Sequence, residues 1–210
     1  GILYRLAVET GLRSNELRSL TWSDLDLQDD SPTVTVQAAY AKNRRTDTLP
    51  LKPATAQSLA SWRDLMGRVD LRYRVFATMP EASRIVRMLR RDLGDAKAAW
   101  VKEAEHNPSE QAERTKSSFL SYRDAAGRVA DFHSLRHTFI SNLARGGVHP
   151  KVAQQLARHS TITLTMDRYS HTSRGELADA LTALPDLSDS SRRERMAATG
   201  TYGHDDAGRR

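Results

Sequence analysis

Apolar residues in the first half of the chain recur first at helical spacing and then at strand spacing. Those from Ile2 to Ala7 follow three- and four-residue steps, and Gly11 then provides a helix stop. Thr33–Val36 alternates as a strand does, and Pro53 suits the first turn of a later helix. The patterns predict, in chain order, a helix ending before Gly11, a helix from about Ser14, strands at 33–36 and 48–51, a helix from Pro53 and a long helix over 81–105.

In the second half of the chain, the pattern mainly predicts short helices separated by glycine and proline. Residues 75–77 predict a buried strand or loop, the polar residues 106–117 predict a surface connection, and Asp124–Gly127 predicts the turn of a small hairpin. Helices are expected at about 134–145, 150–157, 162–169 and 175–183, followed by a disordered tail over 185–210. The predicted fold class is mainly α with a small antiparallel β-sheet (α+β).

Composition limits the broad class of protein but does not identify its function. The 210 residues suffice for one substantial domain and a tail. A net charge of +6 and a pI near 9.8 suit a nucleic-acid partner without requiring one. The chain contains no cysteine, which excludes disulfides and cysteine nucleophiles and fits a cytoplasmic protein. No apolar run approaches the roughly 18–20 residues that span a bilayer, so no membrane partner is expected.

Residues able to bind and attack a phosphate are concentrated between His133 and Tyr169. Arg136 and His159 lie between these two residues, and Arg13 occupies a similar turn-to-helix position upstream. Phosphodiester cleavage needs an aimed nucleophile, stabilisation of extra negative charge and a proton for the leaving oxygen. Arginine forks match phosphate oxygens and stay charged at any working pH. The chain has no G-x-x-x-x-G-K-[ST] loop, so arginines and histidines would have to stabilise that charge.

A zinc site is the main alternative interpretation of the histidines. His133 and His137 have the i, i+4 spacing of a metal-binding pair on a helix. Ser134 stands where the metalloprotease motif needs glutamate, and Arg136 would place a positive charge beside the metal. The pattern therefore favours a phosphate site, and neither a metal nor another cofactor is expected. His137 is interpreted as local structure.

These residues resemble the catalytic signature of the tyrosine recombinases, the phage integrase family, from about Leu3 to Leu181. The resemblance implies the tyrosine recombinase catalytic-domain fold for residues 1–184, with 185–210 as the tail. The chain starts at Gly1 within a helical pattern. We therefore interpret it as N-terminally truncated and lacking the amino-terminal DNA-binding domain that the family has.

The resemblance also implies a role for each candidate residue. Tyr169, which follows His159 at a spacing of ten residues (169 − 159 = 10), would be the nucleophile, and its phenol needs a base or nearby cations. The other roles are Arg13 and Arg136 as phosphate clamp, His133 and His159 in phosphate binding and proton transfer, Lys42 as general acid with Arg44 and Arg45 beside it as alternatives, and Arg44, Arg45 and Arg158 as DNA contacts. The family usually has glycine where Arg158 stands, so the helix end must tolerate a side chain there or the arginine faces DNA.

The implied activity is that of a site-specific DNA recombinase or integrase, which cleaves and rejoins DNA through a 3′-phosphotyrosine intermediate without metal or ATP. Strand exchange uses four active sites, so the resemblance implies a homotetramer of the full-length protein on specific double-stranded DNA sites. Two alternatives stay open. A type IB topoisomerase uses the same chemistry without exchanging partners, and a truncated chain could bind DNA without cutting it. The expected location is the cytoplasm, at the nucleoid when the protein is bound to DNA.

Overall fold

The computed structural model describes residues 1–42 and 44–169, which form eight α-helices and one three-stranded sheet. The helices are α1 (Ile2–Thr10), α2 (Ser14–Ser19), α3 (Pro53–Leu65), α4 (Ala82–Lys102), α5 (Pro108–Lys116), α6 (Ser134–Arg145), α7 (Pro150–Ala157) and α8 (Thr163–Tyr169), and the strands are β1 (Leu25–Asp26), β2 (Thr33–Val36) and β3 (Asp47–Pro50). The predicted fold class, mainly α with a small antiparallel sheet, is confirmed. None of the helices in these two ranges is both long enough and apolar enough to cross a membrane.

The sheet has the order β1-β2-β3, and both pairs of neighbouring strands are antiparallel. Val34 lies opposite Leu49, and both side chains are buried. Thr35 lies opposite Thr48, and their hydroxyl oxygens are hydrogen-bonded at 3.1 Å on the other face. The two longer strands match the prediction within one residue. The β1 strand was not predicted, because two residues are too few to show an alternating pattern.

An aromatic row joins the sheet region to the helices in the main core. The Trp62 ring lies 5.6 Å from Trp22 and 5.7 Å from Phe76, measured between ring centroids. Leu6 of α1 and Leu59 of α3 are fully buried in the same cluster. The apolar segment around Phe76 forms a buried loop, which decides between the two forms that its sequence allowed.

The polar stretch 106–117, predicted as a surface connection, lies at the surface, but most of it forms helix α5, which was not predicted. The Asn107 side chain accepts a hydrogen bond from the Glu110 backbone N–H, which caps the start of α5. Arg114 then donates to Glu110 and to the carbonyl of Trp100 in α4. No residue of α5 is buried, so the hydrophobic spacing that reveals the other helices is missing here.

The hairpin predicted around 122–130 is reduced to a tight turn with one bridge pair, Arg123 with Val129. The Asp124 carboxylate closes the turn by accepting from the backbone N–H groups of Ala126 and Arg128. The three helices predicted after it appear as α6, α7 and α8. The helix predicted at 175–183 and the tail at 185–210 lie outside the described residues.

Gly11 allows α1 and α6 to approach closely. Its φ of 64° lies in the left-handed region, and an added Cβ would stand 2.5 Å from Cδ1 of Phe139. We expect Gly11→Ala to lower the free energy of unfolding by about 2–4 kcal/mol, because backbone strain and overpacking add. Urea unfolding followed by circular dichroism measures this loss.

Substitutions at two other glycines separate the cost of backbone strain from the cost of overpacking. Gly127 has a φ of 76° but open space around its Cα, so Gly127→Ala should show the backbone cost alone, about 1 kcal/mol. Gly94 lies within α4, also in open space, and Gly94→Ala should stabilise the protein by about 0.5–1 kcal/mol. Equal losses for Gly11→Ala and Gly127→Ala would show that the Phe139 contact has no energetic weight.

Candidate active site

An open cleft of about 390 Å³ lies where α2 and α6 begin. It brings together four predicted site residues that are far apart in the sequence. Its lining consists of Leu12, Arg13, Ser14, Asn15, Tyr40, Lys42, Phe132, His133 and Arg136. Arginine, lysine and histidine side chains thus line one cleft, which suits an anionic ligand such as a phosphate.

Arg136 is held in the first turn of α6 by two backbone carbonyl groups. Its Nη1 donates to Gly11 O at 2.5 Å, and its Nη2 donates to Ala157 O. The residue is 3% exposed, and burial, followed by repulsion from Arg13 and Arg158, lowers the pKa of its guanidinium to about 9. It therefore stays protonated at neutral pH. The two bonds occupy two of the five N–H donors of a guanidinium, so donors remain for a ligand in the cleft.

Arg13 precedes α2 and is bound to the buried carboxylate of Glu16. Its backbone N–H donates to Oε2 of Glu16 at 2.7 Å, and its Nη1 lies 3.0 Å from Oε1. Burial alone would raise the pKa of Glu16. The hydrogen bonds and charges of Arg158 and Arg13 outweigh burial and lower that pKa below its ordinary value. Glu16 is thus an organising residue that was not singled out from the sequence, although its position three residues after Arg13 is that of a capping glutamate.

Arg158 lies inside the protein and does not face the surface as a DNA contact should. Its side chain is 3% exposed and forms a two-pronged ion pair with Glu16, with Nη2–Oε2 at 2.6 Å and Nη1–Oε1 at 3.1 Å. The predicted DNA contact is therefore wrong in this arrangement, because the guanidinium is taken up by a buried carboxylate. The other expectation, that the helix end tolerates a side chain, holds: Arg158 ends α7 in the left-handed conformation, with a φ of 52°.

His159 follows Arg158 directly. Its Nδ1 lies 3.0 Å from the hydroxyl oxygen of the fully buried Thr165. Burial, followed by the charges of Arg136 and Arg13, lowers the pKa of the imidazole to about 4. His159 is therefore neutral at physiological pH, and it does not line the cleft in this arrangement.

Tyr169 is the last described residue and ends α8. Its hydroxyl donates to the carbonyl of Val148, in the loop between α6 and α7, at 2.8 Å. Burial raises the pKa of this hydroxyl above its ordinary value. Among the described residues that line the cleft, the tyrosine is Tyr40, which is 52% exposed and was not singled out from the sequence. The structure thus brings Arg13, Lys42, His133 and Arg136 together, but it holds the Tyr169 hydroxyl on a backbone carbonyl.

The predicted strand-to-strand turn carries Lys42, which is exposed and reaches the cleft. Arg44 and Arg45 are exposed in the same loop, and Arg44 adopts a φ of 52°.

His133 and His137 meet edge to face, with ring centroids 4.7 Å apart. In the two described ranges, no group of three or more histidine, aspartate or glutamate side chains is arranged to hold a metal ion.

Solved structures with a similar fold include several DNA recombinases. A XerA recombinase has a TM-score of 0.53 and 21% identity, covering 84% of this chain and 54% of that one. A XerH site-specific recombinase bound to its difH substrate has a TM-score of 0.56 and 19% identity, covering 87% and 46%. The Tn1549 transposon integrase in complex with transposon right-end DNA has a TM-score of 0.56 and 20% identity, covering 87% and 58%. These likenesses show the fold.

Sequence relatives belong to the same group of proteins. A XerC-like tyrosine recombinase from Caldanaerobacter subterraneus is 25% identical over 207 aligned residues, which cover 88% of this chain and 49% of that protein. The transposase of transposon Tn916 from Enterococcus faecalis is 35% identical over 66 residues, or 31% of this chain and 16% of that protein. The chain thus spans half the length of these relatives or less. The sequence pattern of the phage integrase family matches residues 2–176, and the chain belongs to this family as a tyrosine recombinase catalytic domain.

Proposed function

We propose that this chain is the catalytic part of a site-specific DNA recombinase that cuts and rejoins DNA through a 3′-phosphotyrosine intermediate, without metal or ATP. The proposed domain covers residues 1–184 and acts in the cytoplasm, with 185–210 as a tail. The observation that carries the proposal is the cleft in which Arg13, Lys42, His133 and Arg136 meet. Relatives of similar fold, XerH and the Tn1549 integrase, have been solved bound to DNA, which supports DNA as the partner.

The two arginines supply the phosphate clamp in this proposal. Arg136 lies in the first turn of α6, where the helix dipole also favours an anion, and its pKa of about 9 keeps it charged at neutral pH. Arg13 is held by the Glu16 carboxylate. A pentacoordinate phosphorane carries one more negative charge than the diester, so donors fixed in advance stabilise it more than they stabilise the ground state.

Proton transfer falls to the histidines and the lysine. His159 is neutral at physiological pH, and in the tautomer in which Nδ1 accepts from the Thr165 hydroxyl, its Nε2–H can donate to a phosphate oxygen. His133 lines the cleft and is our candidate for accepting the tyrosine proton. Lys42, on the side of the cleft formed by the strand-to-strand turn, would donate a proton to the leaving 5′ oxygen.

Tyr169 is the proposed nucleophile, and its hydroxyl must leave Val148 to reach a phosphate. In the cleavage step the tyrosine oxygen forms a bond to phosphorus and the bond from phosphorus to the 5′ oxygen breaks. A 5′-hydroxyl from a partner strand then attacks the phosphotyrosine and restores both the diester and the free tyrosine. Because one bond replaces an equivalent bond at each step, no external energy source is required. Exchange between two duplexes uses four such sites, so we propose a homotetramer of the full-length protein.

Covalent trapping tests this proposal. The chain, and a longer form that includes the preceding part of its parent protein, are incubated with nicked duplex DNA from the ends of the parent genetic element. An adduct that survives denaturation and maps by mass spectrometry to the peptide containing Tyr169 is the expected result. An adduct only with the longer form would mean that the site is intact but DNA binding needs the rest of the protein.

Two results would favour the alternatives. Relaxation of supercoiled plasmids that lack the recombination site would favour a type IB topoisomerase. Tight binding of the same DNA ends by both forms, without an adduct from either, would favour a DNA-binding fragment that does not cut.

Salt dependence tests the predicted DNA contacts of the loop between β2 and β3. The logarithm of the DNA-binding constant should fall linearly with the logarithm of salt concentration, by about 0.9 per neutralised phosphate. Arg44→Ala and Arg45→Ala should each reduce this slope by about 0.9. Arg72→Ala removes the same charge from a guanidinium that is paired with Asp70, and it should leave the slope unchanged. Fluorescence anisotropy with a labelled duplex gives the slopes, and equal slopes for all four proteins would remove Arg44 and Arg45 from the interface.

A further inference from the structure

Arg158 stands at a position whose backbone favours glycine. The backbone N–H of Arg158 donates to Gln155 O at 2.9 Å, and that of His159 donates to Gln154 O at 3.0 Å. This pair of bonds is the Schellman ending of a helix, in which the left-handed residue is usually glycine. A residue other than glycine costs free energy in this conformation, which indicates that the Arg158 side chain makes interactions that glycine could not make.

That side chain forms a buried two-pronged ion pair with Glu16, and the same carboxylate also holds Arg13. Oε1 of Glu16 is shared by Nη1 of Arg158 and Nη1 of Arg13, while Oε2 is shared by Nη2 of Arg158 and the Arg13 backbone N–H. The Glu16 and Arg158 side chains are 1% and 3% exposed. Each oxygen therefore carries one bond from each arginine, and water has almost no access to the Glu16–Arg158 pair, whereas the Arg13 side chain is 25% exposed.

We propose that Arg158 is a positioning residue for the proposed cleavage reaction: it keeps the Glu16 carboxylate ionised and oriented, and Glu16 in turn holds Arg13 in the cleft. The proposal rests on the proposed function for its effect on rate, but its structural part concerns this chain alone. Arg158 does not line the cleft, so it acts through Glu16 and not on the phosphate itself.

Loss of the Arg158 guanidinium has a defined electrostatic consequence. The direct hydrogen bonds to the Glu16 carboxylate would then come from Arg13 alone, with the charge of Arg136 as the other cationic influence, so the effect of burial on the carboxyl group would be opposed less strongly. The carboxyl would then take up a proton at a higher pH. A protonated Glu16 has one acceptor oxygen fewer for Arg13, so the arginine that faces the cleft becomes free to rotate.

Arg158→Gly is the informative substitution, because glycine suits the left-handed backbone and should keep the end of α7 in place. Carboxyl carbon NMR of protein labelled at glutamate follows Glu16, whose signal is assigned with Glu16→Gln. We expect the pKa of Glu16 to lie below its ordinary value in the unchanged protein and above it in Arg158→Gly. The guanidinium signals of Arg13 should sharpen toward the free-rotation pattern in the same variant.

Two further variants give controls. Arg158→Lys keeps the positive charge but lacks the planar fork. The pKa of Glu16 should therefore stay close to its value in the unchanged protein, while the Arg13 side chain should be only partly ordered. Arg128→Ala removes an exposed arginine that pairs with Asp124, and it should change neither signal. If Arg158→Gly fails to fold, as judged by circular dichroism, Arg158→Lys carries the test, and unchanged Arg13 signals in that variant would overturn the proposal.

The pH dependence of single-turnover cleavage distinguishes a positioning role from a purely structural one, which would lower the rate equally at all pH values. We expect Arg158→Gly to lower the cleavage rate by roughly 10- to 100-fold near pH 6 and by less near pH 8, since Glu16 regains its charge as pH rises. DNA affinity should stay within about twofold. A rate lowered equally at both pH values, or an unchanged titration of Glu16, would overturn the proposal. If neither the unchanged chain nor its longer form gives an adduct, the proposed function fails, while the NMR titration still decides whether Arg158 holds Glu16 and Arg13 in place.

Discussion

Tyr169→Phe is expected to abolish the covalent protein–DNA adduct completely. Phenylalanine keeps the ring but lacks the oxygen that would bond to phosphorus, so no residual cleavage through this residue is possible. The fold should persist, because the hydroxyl makes one hydrogen bond, to Val148 O, and losing such a bond costs about 1 kcal/mol. DNA binding should therefore stay close to that of the unchanged protein. A denaturing gel with nicked DNA, read beside a binding titration, measures both quantities.

Tyr40→Phe is the matched control for this experiment. Tyr40 lines the cleft beside Arg13 and His133, whereas the Tyr169 hydroxyl is bound to a backbone carbonyl in the described arrangement. Proximity alone would thus favour Tyr40 as the nucleophile. We expect Tyr40→Phe to keep the adduct. The opposite pattern, an adduct lost in Tyr40→Phe and kept in Tyr169→Phe, would assign the chemistry to Tyr40 and refute the family-based prediction.

Arg136→Ala should have the second-largest effect, because Arg136 has both a proposed catalytic role and a structural one. Removal of one oxyanion donor from a preorganised site lowers the rate by about 100- to 1,000-fold. The carbonyls of Gly11 and Ala157 also lose a charged donor, so the free energy of unfolding should fall by about 2–4 kcal/mol. Single-turnover adduct formation and urea unfolding separate the two effects.

Arg136→Lys and Arg145→Ala complete the comparison. A lysine ammonium cannot span two carbonyls and a phosphate as a planar fork does, so Arg136→Lys should stay well below the unchanged rate. Arg145 ends the same helix, where it is exposed and bonded to the Asn142 side chain. Arg145→Ala should change neither rate nor stability by a measurable amount. An Arg136→Ala protein that is less stable but cleaves at full rate would limit Arg136 to structural support.

Local patterns predicted those elements whose own residues carry the signal. Helix α1 shows apolar spacing followed by Gly11, and α7 begins at Pro150, so both were predictable from a few neighbouring residues. The short strand β1, and α5, which has no buried residue, lack such spacing, and they were missed for that reason. The α5 cap formed by Asn107 and Glu110 was present in the sequence but was not weighed.

For the candidate site, the sequence by itself determined which residue types are present and their spacing: His133, Arg136, His159 and Tyr169 form a recognisable pattern because each occupies a set place along the chain. Only the tertiary structure decided which groups meet. Arg136 donates to Gly11 and Ala157, and Arg158 turns inward to Glu16, across separations of 125, 21 and 142 residues. Such pairs depend on how α1, α2, α6 and α7 pack, and no local rule of spacing or propensity encodes that packing.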